Sequence, residues 1–193
     1  MITLVGLPGA PGATTSALAL LRTWPLEHGR RMVLAECDPD GGAILPGAFQ
    51  GQVGAEWGLR NLALSSRTQD LVTAFWPQLI AVENDNERRS ERNRLLLPGL
   101  TSMDQAPGLA PVWGQLADLF AGIEAHSHDV LVDLGRAGAF GPAGVLALRA
   151  DLVLVVVRGT IRSLHAANSR IKALRTLMDG ESGAAAPARS ACS

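Results

Sequence analysis

Short runs rich in valine and leucine alternate along the chain with longer segments whose apolar residues recur at helical spacing. "ITLVG" (2–6), "MVLAE" (32–36), "DVLVDLG" (129–135) and "DLVLVVV" (151–157) read as strands, and "RLLLP" (94–98) as a weaker one. A helix is predicted from Thr14 to Glu27, and another where Val112, Leu116, Leu119, Phe120 and Ile123 line one face. "GPAGVLALR" predicts a further helix between two strands, and a final one runs from Ile161 to Met178. Uninterrupted apolar strands separated by helices imply an α/β chain: a three-layer sandwich around a mostly parallel central sheet.

The segment 43–93 lacks that regularity. "GAILPGAFQGQVGAEWGL" is glycine-rich and reads as loop, while "TQDLVTAFWPQLIAV" reads as helix as far as Pro77. "ENDNERRSERNR" is a dense run of both charge signs, expected as a solvated loop or helix end. The tail "GESGAAAPARSACS" is small, polar and proline-containing and is expected to be disordered, so residues 1–179 form one domain and 180–193 lie outside it.

At 193 residues the chain can bury a full core, and with 47% hydrophobic against 18% charged residues it is globular rather than disordered. A net charge of −1 provides no general attraction to nucleic acid or an anionic membrane. Cys37 and Cys192 are too far apart in sequence and context to form a disulfide framework. With no basic leader and no long apolar run, the expectation is a cytoplasmic protein without membrane insertion. Arginine supplies nearly all the positive charge. Lys172 is the only lysine, so chemistry that needs one has a single candidate.

Between the first strand and the first helix lies "LPGAPGATT" (7–15). A loop that holds phosphates needs glycine-exposed backbone N–H groups, a helix N-terminus behind them, and usually a lysine and a Mg²⁺-binding hydroxyl. Gly9 and Gly12 supply the flexible backbone, and Thr14 and Thr15 the hydroxyls. The strict pattern fails at Leu7, where it has glycine, and at Ala13, where it has lysine. A plain strand-to-helix turn favours the same residue types, so the loop alone leaves both readings open. Two later features stand at strand ends: "AECDPDGGA", with Asp38, and "DVLVDLGRAG", with Asp133. Ligands of parallel sheets bind outside the carboxyl ends of the strands, which would bring all three features to one edge.

In these residues the chain resembles the MinD/ParA family of deviant P-loop ATPases. "PGAPGATT" stands where that family has K-G-G-V-G-K-T-T, and "ECDPDG" where it has D-x-D-P-Q-G. "HDVLVDLGRAG" is similar to its Walker B strand, and "ADLVLVVVRGTIRSLHAANSRIKAL" to the next strand and helix. The likeness covers roughly residues 1–42 and 128–178. It implies a P-loop NTPase fold that binds ATP or ADP with Mg²⁺. Gly9, Ala10, Pro11, Gly12, Ala13, Thr14 and Thr15 would cradle the phosphates, with Thr14 also a Mg²⁺ ligand. Asp133 would hold the metal through water, ahead of a switch at Gly135–Gly138. Asp38 would be the catalytic acid group that positions water. The resemblance further implies a homodimer docking to a protein partner of partitioning, positioning or secretion machinery.

The departures matter as much. Pro8 stands in place of the signature lysine, Ala13 in place of the P-loop lysine, Glu36 of an aspartate and Asp40 of a glutamine. Pro11 removes one backbone donor. A charge-assisted hydrogen bond contributes about 1.5–3 kcal/mol, so each lost lysine costs about one to two decades of affinity. Losing a preorganised charge-stabilising donor costs about 10²–10³ in rate. Binding is therefore expected to survive better than hydrolysis, with Arg22 or an arginine of 88–94 as the substitutes in sequence reach. Two other readings remain: an interaction module that keeps only the fold, and a DNA-associated partition-like protein using Arg158, Arg162, Arg170, Lys172 and Arg175. His126 and His128 beside Asp129 read as a polar loop before a strand, with a metal site the alternative.

Overall fold

The computed structural model describes residues 1–7, 9–50, 54, 56–82, 93–136 and 138–184. The charge run at 83–92 and the end of the tail at 185–193 lie outside the described residues. A six-stranded sheet forms the centre: β1 (Ile2–Gly6), β2 (Arg31–Glu36), β3 (Ile80–Ala81), β4 (Arg94–Leu97), β5 (His128–Asp133) and β6 (Leu152–Val156). The order across the sheet is β3-β4-β2-β5-β1-β6, and every pairing is parallel except β3 with β4.

Alternation along the strands builds the two cores, because successive side chains leave opposite faces. Leu4, Met32, Leu34, Leu96 and Leu131 face one side. There they meet Ala17 and Leu21 of α1 (Ala13–Thr23) and Ile44 of α2 (Ile44–Gly47). Val5, Val33, Ala35, Leu97, Val130 and Val132 face the other side. That face is covered by α3 (Leu59–Ser65), α4 (Leu71–Phe75), α5 (Trp113–Gly122) and α6 (Val145–Leu148). Leu174 of α7 (Ile161–Ala184) joins the same cluster, and α7 presents Ala167, Ile171, Leu174 and Met178 at helical spacing. The result is the expected three-layer α/β/α sandwich.

The element bounds differ from the expectations for local reasons. α1 stops at Thr23 because Trp24 precedes Pro25 and takes an extended conformation, which removes the helix predicted on to Glu27. The helix expected up to Pro77 is α4 followed by a 3₁₀ turn, Trp76–Gln78, after which the chain enters β3. Only the antiparallel pairing of Ile80 and Ala81 with β4 makes this a strand. The glycine-rich stretch expected as loop contains α2, held by the buried Ile44, and ends at Leu59, the buried first residue of α3. The α7 helix continues past Met178 to Ala184. Among the described residues no helix is long and apolar enough to cross a membrane.

Candidate functional site

The strand order places β1 between β5 and β6, so the loop after β1 emerges between the loops that follow its two neighbours. Gly6 N donates to the Gly135 carbonyl at 2.7 Å, and Leu7 N to the Val156 carbonyl at 3.1 Å, fixing the start of the loop to both sides. Gly9 (φ 79°) and Gly12 (φ 103°) occupy left-handed backbone that other residues rarely adopt. Gly12 is the N-cap of α1 and no side chain caps the helix, so its first N–H groups are left for an outside acceptor.

A cleft of about 590 Å³ opens over this helix end. Its lining includes all seven residues from Gly9 to Thr15, together with Asp38, Asp40, Gly41, Ala43, Gly135, Arg136 and Arg158. The loop, Asp38 and the residue two beyond Asp133 are thus brought together as the spacing along the chain implied. Pro8 and Ala137 lie outside the described residues. The Ala13 side chain is buried, and a Cβ on Gly6 would sit 3.2 Å from its own. Thr14 is half-buried and Thr15 exposed.

Asp133 is fully buried at the end of β5. Its Oδ1 accepts from Gly135 N at 2.9 Å, while Oδ2 is buried with no hydrogen-bond partner. Burial pushes its carboxyl above the ordinary range, and the nearby Thr14 hydroxyl and the Gly135 N–H counteract this. An uncompensated buried carboxylate oxygen beside a hydroxyl fits a divalent cation. No cluster of three or more metal-ligating side chains exists among the described residues, so a cation here would take Asp133, Thr14 and oxygens from outside the protein.

Asp38 lies half-buried against Gly135, with its carboxylate in the space a Cβ would fill. Its pKa is pushed up to about 6, first by burial and then by the charges of Asp40 and Asp133; the Asp40 N–H and Arg136 act in the opposite direction. Because the folded value lies above the ordinary 3.8, the stability this group contributes is complete below about pH 4 and lost as pH rises through about 6. Asp38→Asn is therefore expected to gain on the parent in melting temperature between about pH 4 and pH 7 and to hold that gain above it. Thermal melts across this range check the sign.

Three residues at the cleft have places there that the sequence did not assign. Glu36 is 1% exposed and holds the cleft wall: its Oε1 accepts from Ala43 N (2.5 Å) and Ile44 N (3.0 Å), and its Oε2 from Gly99 N (3.0 Å). Burial raises its carboxyl, and the three N–H donors oppose that. Among the described residues, Arg136 and Arg158 are the only cations lining the cleft. Of the expected substitutes, Arg88, Arg89 and Arg92 lie outside the described residues, and Arg22 and Arg94 do not line the cleft. Arg22 sits in the last turn of α1, and the buried Arg94 guanidinium donates to the Leu21 and Trp24 carbonyls. On the opposite edge, His128 Nδ1 bonds the His126 carbonyl and Asp129 pairs with Arg30 at 2.5 Å, a local polar cluster remote from the cleft in the sheet. On α7, Arg162, Arg170, Lys172 and Arg175 are all exposed, with Arg170 lying 5.2 Å from the centroid of the Phe140 ring.

No family profile and no curated protein sequence matches the chain. Solved structures do. A ParA family ATPase from Chlorobium tepidum superposes with a TM-score of 0.59 at 12% identity, over 89% of this chain and 66% of that one. Apo McdA from Cyanthece gives a TM-score of 0.58 at 12% identity, over 92% and 66%. Cobyrinic acid a,c-diamide synthase from Mycobacterium smegmatis, with bound ATP analog and magnesium, gives 0.50 at 19% identity, over 81% and 59%. The chain spans less than two thirds of the length of each of these proteins. With its strand order, its left-handed glycine turn into α1 and Asp133 at the neighbouring strand end, the chain has the MinD/ParA-like P-loop fold.

Proposed function

We propose that this chain is a ParA-like nucleotide-binding switch that hydrolyses ATP slowly or not at all and acts by docking to a protein partner. The observation that carries the reading is the buried, unpartnered Asp133 Oδ2 beside Thr14, at the foot of an uncapped helix N-terminus. A turn with no ligand has no use for that arrangement, because a buried charge without a partner costs stability. The neighbour solved with an ATP analog and magnesium supports the choice of ligand. A bound Mg²⁺ would supply charge neutralisation to the phosphate chain. The protein's own share is orientation: Gly9, Gly12 and Ala13 offer backbone N–H groups, Thr14 and Asp133 hold the cation, and Asp38 faces the switch at Gly135. With no lysine lining the cleft and Pro11 donating no N–H, binding is retained in weakened form and turnover is reduced by about 10²–10³ per missing donor.

In this reading the chain works in the cytoplasm as a homodimer. Millimolar Mg²⁺–ATP and Mg²⁺–ADP are each expected to raise the melting temperature. If neither moves it, the chain is an interaction module that keeps only the fold. The exposed cations of α7 favour non-specific DNA as a second partner. Binding that falls steeply with salt, and weakens when Arg162, Arg170 and Arg175 are neutralised, supports that addition; salt-independent or absent binding removes it.

A further inference from the structure

We infer that Arg136 and Arg158 together form the cationic clamp for the phosphate chain, replacing lysines that the loop does not carry; this rests on the nucleotide reading above. The sheet order supplies the geometry. Arg136 follows β5 and Arg158 follows β6, and these are the two strands flanking β1, so the arginines reach the cleft from either side of the Gly9–Thr15 loop. The Arg136 stem runs over the end of β1, with its Cγ 3.4 Å from where a Cβ on Gly6 would lie. That leaves the guanidinium at the cleft with its aliphatic part already packed.

Both side chains are exposed, and neither makes a hydrogen bond or ion pair with a described residue. The Arg136 charge also pulls on Asp38. Three other arginines are engaged: Arg30 with Asp129, Arg149 with Asp118, and Arg94 with the end of α1. Two guanidinium groups that reach one cleft from either side of a loop of open N–H donors suit a chain of phosphates. Each guanidinium presents a planar fork that bonds phosphate oxygens in pairs, which a lysine ammonium does not. Lysine in a P-loop reaches the phosphates from the loop itself, whereas here the charge comes from the flanking strands. The ligand selected is accordingly one with two or more linked phosphates, because a single phosphate seated at the α1 N-terminus cannot engage both sides.

The test is calorimetric titration of Arg136→Gln, Arg158→Gln and the double variant with Mg²⁺–ATP, AMP and inorganic triphosphate. Each single variant is expected to weaken Mg²⁺–ATP by about tenfold, and the double variant by about 30-fold or more, with AMP changed by less than about threefold. Inorganic triphosphate follows ATP, and Arg158→Lys recovers part of the loss. The salt dependence of binding is expected to flatten in the double variant. Melting of the unliganded variants stays at the parent value, since both side chains are exposed. If the parent binds Mg²⁺–ATP and the double variant binds it equally well, the clamp is wrong and the nucleotide reading stands. If the parent binds neither ATP nor triphosphate, both fall.

Discussion

Asp133→Asn is expected to melt a few degrees above the parent without ligand and to lose the Mg²⁺-dependent part of nucleotide binding. The two effects have one cause. A carboxylate with one oxygen buried and unpartnered is destabilising in the unliganded chain, and burial raises its pKa above the ordinary value. The stability this group contributes is therefore fully present only below its unfolded pKa and lost as pH rises through the folded one, so at neutral pH the charged form carries the penalty. Asparagine keeps the acceptor for Gly135 N and removes the charge. Relief of about 1–2 kcal/mol in a chain of this size raises the melting temperature by about 2–4 °C per kcal/mol. The same change removes the charge of the carboxylate proposed to hold a cation beside Thr14, and Mg²⁺ should then tighten ATP binding by less than about twofold. Melting and titration of the same preparation check both halves. A variant that melts lower and still responds to Mg²⁺ would assign Asp133 a purely structural role.

Glu36→Ala should be the most destabilising substitution around the cleft, costing on the order of 4 kcal/mol. It leaves the N–H groups of Ala43, Ile44 and Gly99 without their acceptor, and each unsatisfied buried donor costs about 1–3 kcal/mol, less whatever water recovers. Glu36→Gln separates charge from geometry. Its carbonyl oxygen keeps the bonds to Ala43 and Ile44, but its amide faces Gly99 N donor to donor, so about 1–2 kcal/mol is expected. Space is as tight as the hydrogen bonding: a Cβ on Gly42 would lie 2.7 Å from Glu36 Oε2, and one on Gly99 3.0 Å from its Cγ. Ala43 and Gly41 line the cleft, so the alanine variant should also weaken Mg²⁺–ATP, and the glutamine variant much less. Denaturant unfolding gives the stability order Glu36 > Gln > Ala; a parent-like alanine variant contradicts the role assigned to this carboxylate.

What the sequence disclosed follows from what is local. Valine and leucine runs announced β1, β2, β5 and β6, because a strand covered on both faces must be apolar throughout. The positions of Gly12, Thr14, Asp38 and Asp133 relative to those runs sufficed to place them at the carboxyl ends of the strands. The remainder depends on tertiary partners. β3 exists only through its pairing with β4, and α3 is fixed by Leu59 and Leu62 entering the core rather than by its glycine-rich approach. Glu36 reads in sequence as one more acid at a strand end, because its partners are backbone N–H groups of distant loops. Arg136 and Arg158 carry a weak signal, each lying just past the end of a strand. That they flank the loop follows only from β1 sitting between β5 and β6, which no local pattern encodes. Arg94, a substitute in sequence reach, opens β4, which β2 and β5 separate from β1, and its guanidinium is spent on the carbonyls that end α1.

The central claim is that this cleft binds Mg²⁺-nucleotide despite its missing lysines. Calorimetric titration of the parent chain with ATP, with and without Mg²⁺, tests it most directly. The expected result is saturable binding at one site per chain, with a dissociation constant on the order of 10 μM to 1 mM that Mg²⁺ tightens about fivefold or more. The absence of saturable heat at millimolar ATP, with Mg²⁺ and without it, would contradict the account.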